Sequence, residues 1–98
     1  MDVTDIEKNV KEAVNILKAL SNERRLMIVC ALSKGEQCVG ALEDIIGLSQ
    51  SALSQHLARL RRDGLVETRR EAQTIYYSLS PGPVQSIMEC LRAMYCKD

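Results

Sequence analysis

The eighteen residues from Gly47 to Gly64, Gly-Leu-Ser-Gln-Ser-Ala-Leu-Ser-Gln-His-Leu-Ala-Arg-Leu-Arg-Arg-Asp-Gly, constrain the fold of this chain more than any other stretch. Ser49 stands where a helix needs an N-cap, and its hydroxyl can accept from the first unpaired amides. Gly64 stands where the chain must leave the helix, and it can take a positive φ without a Cβ penalty. Between them, Leu53, Leu57 and Leu60 recur at i, i+4 and i+7, which stacks them into one apolar stripe. The opposite side carries Ser51, Gln55, Arg59 and Arg62, with Ser54 and Ala58 on its flank and no acidic residue before Asp63. Short polar groups and arginines on one face suit base edges and the phosphates beside them.

By itself such a pattern also fits an ordinary solvated amphipathic helix. Its neighbours narrow the choice. Val39 to Ile46 reads as a shorter helix, with Val39, Leu42, Ile45 and Ile46 on its buried side. It joins the next helix through Gly47-Leu48-Ser49, the length and glycine content of a helix-turn-helix connection. Leu65 to Glu71 and Gln73 to Leu79 are crowded with β-formers, among them Val66, Thr68, Ile75, Tyr76 and Tyr77, and predict two strands of a hairpin. The turn near Arg70-Glu71-Ala72-Gln73 lacks glycine and asparagine, so no tight turn type is named for it. Arg69 and Arg70 beside this tip can reach a phosphate or the minor groove, or can simply solvate an exposed strand end.

Upstream, Thr4 is positioned to cap a first helix carrying Ile6, Val10, Ala13, Val14, Leu17 and Leu20 at helical spacing, with Glu7 completing a capping box. Ser21 or Asn22 restarts the chain, and Leu26 to Leu32 form a second helix that stops near Lys34-Gly35. Pro81-Gly82-Pro83 ends the hairpin. A last helix then runs to the C-terminus with Val84, Ile87, Met88, Leu91 and Tyr95 on one side. The predicted fold is mainly α with a β-hairpin wing, a winged helix-turn-helix of order α-α-α-α-β-β-α, in one domain spanning 1–98. The first and last helices keep apolar stripes too long for so small a core, which predicts a homodimer through them. A two-fold dimer sets its two recognition helices about 34–36 Å apart when they enter successive major grooves, and therefore predicts a palindromic operator in double-stranded DNA.

Thirteen basic and thirteen acidic residues cancel, so no overall basic field marks a nucleic-acid partner. The charge is nevertheless polarised. From Gln50 to Arg70, Arg59, Arg61, Arg62, Arg69 and Arg70 outweigh Asp63 and Glu67; from Met1 to Glu12 four acids outweigh Lys8 and Lys11. An acidic N-terminus without an apolar run argues against a signal peptide, and no stretch is long enough to span a bilayer, so a cytoplasmic, membrane-free protein is expected. In that compartment the four cysteines, Cys30, Cys38, Cys90 and Cys96, are not expected to form a structural disulfide framework. The single histidine, His56, lies at the border of the leucine stripe and reads as a packing residue. With no glycine-rich phosphate loop and no Cys/His or Ser/His pair with an orienting partner, an enzyme is not expected, nor is a cofactor.

Leu20 to Ile28 (Leu-Ser-Asn-Glu-Arg-Arg-Leu-Met-Ile), Leu48 to Leu57, Leu60 to Val66 (Leu-Arg-Arg-Asp-Gly-Leu-Val) and Ile75 to Leu79 (Ile-Tyr-Tyr-Ser-Leu) together resemble the ArsR/SmtB family of bacterial winged-helix repressors. The resemblance covers nearly the whole chain. It implies a dimer that leaves its operator when an inducer changes its shape, with Gln50, Ser51, Ser54 and Gln55 near the bases. Members that sense thiophilic metals use a Cys-x-Cys pair opening the third helix, where this chain has Cys38-Val39-Gly40; members that sense zinc or nickel need histidine on the last helix, which has none. No metal site is therefore expected. Leu-Met-Ile-Val-Cys (Leu26 to Cys30) and the Met-Tyr-Cys ending at Cys96 resemble the BigR/HlyU-like branch, which implies that Cys30 and Cys96 form a dithiol sensor of persulfide, polysulfide or oxidant. Read without that resemblance, Cys30 is a small buried hydrophobe, and Cys96 beside Lys97 is the better exposed thiol. Cys38 and Cys90 have no assigned partner. The alternatives are a repressor responding to a thiophilic metal through Cys38 and Cys90, and a winged-helix module that binds protein instead of DNA.

Overall fold

The structure, a computed structural model, describes residues 3–95. Eight elements follow in order: α1 (Val3–Leu20), α2 (Glu23–Ser33), β1 (Gln37–Cys38), α3 (Val39–Ile46), α4 (Gln50–Arg62), β2 (Val66–Glu71), β3 (Thr74–Leu79) and α5 (Pro83–Tyr95). The winged helix-turn-helix order is the expected one, with one strand added.

Helix starts and stops follow local chemistry. Asn22, rather than Ser21, caps α2: its Oδ1 accepts from the amides of Arg24 and Arg25 at 3.0 and 3.1 Å, so the helix includes Glu23 to Arg25 ahead of the predicted Leu26. Thr4 is not the cap of α1, because Val3 is already helical and places Thr4 inside the first turn. Ser49 Oγ accepts from the Ala52 amide at 3.2 Å, as its position predicted. At the other end of α4, Gly64 donates to the Arg61 carbonyl and Leu65 to the Leu60 carbonyl, the paired bonds of a Schellman stop. Gly64 has φ of 77°, and the buried Leu60 and Leu65 supply the apolar contact that accompanies this ending.

The core is built from the stripes of α2, α3, α4 and the start of α5. Ile28, Leu42, Leu53, Leu57, Leu60 and Met88 are almost completely buried. Two arginines at the start of α2 tie other helices to it. Arg24 Nη1 donates to the Ile46 carbonyl at 2.9 Å, and Arg25 Nε donates to the Ala19 carbonyl at 2.6 Å. Each guanidinium thus meets the negative end of a helix, α3 and α1 respectively, where the last carbonyls have no partner of their own. The stripe of α1 behaves differently. Only Ala19 and Leu20 are buried, while Ile6, Val10, Val14 and Leu17 lie 41–58% exposed. At the end of α5, Met94 and Tyr95 are also exposed, although Val84 and Met88 of the same helix are buried.

The sheet has the order β1-β3-β2, all antiparallel. A two-residue strand is too short to announce itself by alternation, which is why β1 was not predicted. Pairing runs Gln37 to Tyr77 to Thr68 and Cys38 to Tyr76 to Arg69, and these rows alternate between two faces. Val66, Thr68, Arg70, Tyr77 and Leu79 share the inner face, against the core and α4. Glu67, Arg69, Glu71 and Tyr76 share the outer one. The hairpin turns on Ala72-Gln73, with Ala72 at φ of 55°, a left-handed conformation held by a residue with a Cβ.

Candidate nucleic-acid interface

The leucine stripe of α4 is driven into α2, α3 and β2, so its other side is turned outward. Gln50, Ser51, Ser54 and Gln55 are all exposed, and none of their side chains makes a hydrogen bond among the described residues. Their donors and acceptors are available to a ligand at no cost in internal bonding. Behind them, Ser54, Ala58, Arg61 and Arg62 face Tyr77 of β3 across a shallow concavity of about 470 Å³. The open polar face of α4 thus borders a shallow concavity with two arginines on one wall and Tyr77 of β3 on the other.

The structure divides the arginines that sequence reading grouped together. Arg59 is half-buried and turned to the helix end, with Nε 3.1 Å from Asp63 Oδ2; Arg62 is far more exposed, with Nε 3.5 Å from Oδ1 of the same carboxylate. Arg61 is exposed and has no ion pair among the described residues. It was missed although the signal was present: Ser54, Ala58 and Arg61 follow i, i+4, i+7, one face of the helix. Tyr77, read from sequence only as a β-former, lines the same concavity. In the wing, Arg70 is exposed on the sheet face shared with Tyr77 and has no ion pair among the described residues. Arg69 points to the other face. Its guanidinium takes Glu36 in a two-point contact at 2.7 and 2.7 Å and Glu71 at 2.9 Å, and lies 4.5 Å from the Tyr76 ring centroid. The Arg69 bond holds the Glu36 carboxyl below the usual carboxylate range.

His56 is half-buried on α4, facing α2. Burial, then the charges of Arg25 and Arg24, push its pKa below the ordinary histidine value. The folded chain therefore holds the ring neutral where the unfolded chain accepts a proton. Between the ordinary value and the lowered one the unfolded state binds more protons, so stability falls as pH falls. Urea unfolding is expected to show this loss beginning below about pH 6.5, and His56→Gln is expected to flatten that part of the profile.

Cys30 is half-buried on α2 at the wall of an open, mostly apolar groove of about 610 Å³, together with Leu26, Met27, Ile45, Ile46 and Arg92. Its carbonyl accepts from Ser33 Oγ at 2.6 Å. Cys38 occupies the N-cap of α3 without a capping side-chain bond, and Cys90 is exposed on α5. Cys96 lies outside the described residues. Among the described residues, no three of His, Cys, Asp and Glu gather in a way that would hold a metal ion, and no helix is long and apolar enough to cross a membrane.

Comparison with known proteins agrees with this geometry. The profile of the arsR family of bacterial regulatory proteins matches residues 22–68. The transcriptional activator HlyU of Vibrio cholerae is 55% identical over 97 residues, 99% of this chain and 90% of that protein. A solved structure of reduced HlyU from the same organism superposes with a TM-score of 0.91, covering 97% of this chain and all of that one. The biofilm growth-associated repressor of Xylella fastidiosa is 45% identical over 94% of this chain and 81% of its own length. A crystal structure of the X. fastidiosa repressor BigR gives a TM-score of 0.88 at 43% identity, with both chains fully covered. A possible ArsR-family regulator of Mycobacterium bovis, whose winged helix-turn-helix DNA-binding domain is described as homodimeric, is similar at 29% identity and a TM-score of 0.81 over 96% of this chain and 86% of that one.

Proposed function

The chain belongs to the arsR family of bacterial regulatory proteins and is a DNA-binding transcriptional regulator and not an enzyme, and from that premise we propose that it works as a homodimer on a palindromic operator which it releases when Cys30 and Cys96 react with a persulfide, a polysulfide or an oxidant. Gln50, Ser51, Ser54 and Gln55 read base edges, Arg61, Arg62 and Arg70 contact phosphate, and Arg59 and Arg69 hold the helix end and the wing. The open stripe of α1 and the exposed end of α5 form the dimer face.

The observation that carries the sensing reading is the placement of Cys30 in a groove that α5 also lines through Arg92. Cys96 follows Arg92 by four residues in the chain. The chemistry balances without a metal. One thiolate takes the sulfane sulfur of a persulfide RSSH and RSH leaves; the second thiolate attacks the protein-bound sulfur, a disulfide forms and hydrosulfide departs. Both cysteines are oxidised and the sulfane sulfur is reduced to sulfide. When both thiols are persulfidated first, their condensation keeps one extra sulfur in the link and again releases sulfide. A link from Cys30 on α2 to Cys96, the residue after Tyr95 in the chain, ties the core of a subunit to its dimer face, and a small rotation there moves the recognition helices out of register.

The test uses a 30-bp duplex recovered from a random library by the protein itself. In gel-shift titration, sodium tetrasulfide is expected to lower wild-type affinity by about a hundredfold or more, equivalent to roughly 3–4 kcal/mol. Cys30→Ser and Cys96→Ser are expected to bind the duplex normally and to stay bound. Release from both single variants at the wild-type tetrasulfide concentration would show that the dithiol is not the sensor.

A further inference from the structure

Arg69, Tyr76 and Cys38 lie in one cross-strand row, so a side chain starting on β2 must pass over β3 to reach the strand beyond it. Arg69 does so. Its guanidinium lies over the Tyr76 ring at 4.5 Å and closes on Glu36, the residue immediately before β1, through two parallel N–H to carboxylate bonds of 2.7 Å. Neighbouring strands are about 4.7–4.9 Å apart, so this one side chain bridges the full width of the sheet. A two-stranded hairpin is marginal alone in water, and β1 contributes only two residues of backbone pairing. The angle of the wing is therefore set by few bonds, and among the described residues this fork-to-fork contact is the one that reaches from edge to edge.

The charges argue against a phosphate ligand at this place. Arg69 already meets Glu36 and Glu71, and Glu67 shares its face by strand alternation, so the outer surface carries more negative than positive charge. Arg70, on the opposite face beside Tyr77, is the wing cation without an acidic partner among the described residues.

We infer that Glu36 and Arg69 form a clamp that fastens the wing to the loop after α2, and that Glu36 is a positioning residue which raises DNA affinity despite its negative charge, by holding Arg70 where a phosphate passes. This rests on the DNA-binding reading, and it makes an unusual sign prediction. Removing a carboxylate near DNA ordinarily strengthens binding by lessening repulsion. Here Glu36→Gln weakens it.

The experiment uses the full chain and the selected 30-bp duplex. Glu36→Gln and Arg69→Gln are each expected to lower affinity roughly three- to tenfold, and the double variant to match Arg69→Gln alone, because that variant already removes the contact with Glu36. Hydrogen exchange of the free protein is expected to quicken at the β2 and β3 amides in both variants while α2 and α4 keep their protection. Unchanged or tighter binding by Glu36→Gln, an additive double variant, or unaltered wing exchange each overturns the clamp. If the wild-type protein fails to bind any selected duplex, the DNA-binding reading fails instead, and the exchange measurement still decides whether the clamp holds the wing.

Discussion

Leu57→Ala is expected to destabilise the fold by about 2–5 kcal/mol, the range found when a buried leucine is truncated and the cavity only partly collapses. Leu57 is 1% exposed between Leu53 and Leu60, which are fully buried. Together they are the buried residues of α4. Total stabilities of small domains lie near 5–15 kcal/mol, so this loss places a large share of the fold at risk. It falls on the helix that presents Ser51 and Gln55. Urea unfolding at fixed protein concentration measures it, since coupling to dimerisation makes apparent stability concentration-dependent. A loss within about 0.5 kcal/mol, the range of ordinary surface changes, would mean that α4 is not anchored through this stripe.

The second large effect concerns assembly. Val14 and Leu17 are 41% and 58% exposed on α1, on the stripe that continues through Val10 and Ile6. A helix of this length, about 27 Å at 1.5 Å per residue, buries only its last turn in its own subunit. Val14→Glu combined with Leu17→Glu leaves the protomer core untouched and places two charges where the dimer face is proposed. Sedimentation is expected to show a monomer with wild-type helix content. Affinity for the selected duplex is expected to fall by about a hundredfold or more, because linked binding through two half-sites contributes 10²–10⁴ over a single contact. A variant that still sediments as a dimer would place the interface elsewhere.

Other features have smaller reach but clear origins. The half-buried ring of His56 lies in the field of the two arginines of α2, which lowers its pKa, and those arginines hold the ends of α1 and α3. The residues from Asn22 to Arg25 therefore gather two helix ends and one helix start around a single turn. Sequence reading had these residues only as a recognisable string, with a cap at Ser21 or Asn22. Their purpose is visible once the Arg24 guanidinium is seen on a carbonyl twenty-two residues away.

What the amino-acid sequence determined by itself is the set of features whose causes lie within a few residues. Leucines at i, i+4 and i+7, a serine before them and a glycine after them specified α4 and its outward polar face, because helix periodicity and capping are local. A crowding of β-formers specified the hairpin by composition, and the length of the α1 stripe pointed to cover from outside the subunit's own core. Tertiary structure alone decided which arginines are available. Arg69 and Arg70 are neighbours with the same charge, but strand register sends one to Glu36, thirty-three residues distant, and to Glu71, and leaves the other on the opposite face, which it shares with Tyr77. A one-residue step in a strand changes the face, and no local pattern contains the partner that waits there.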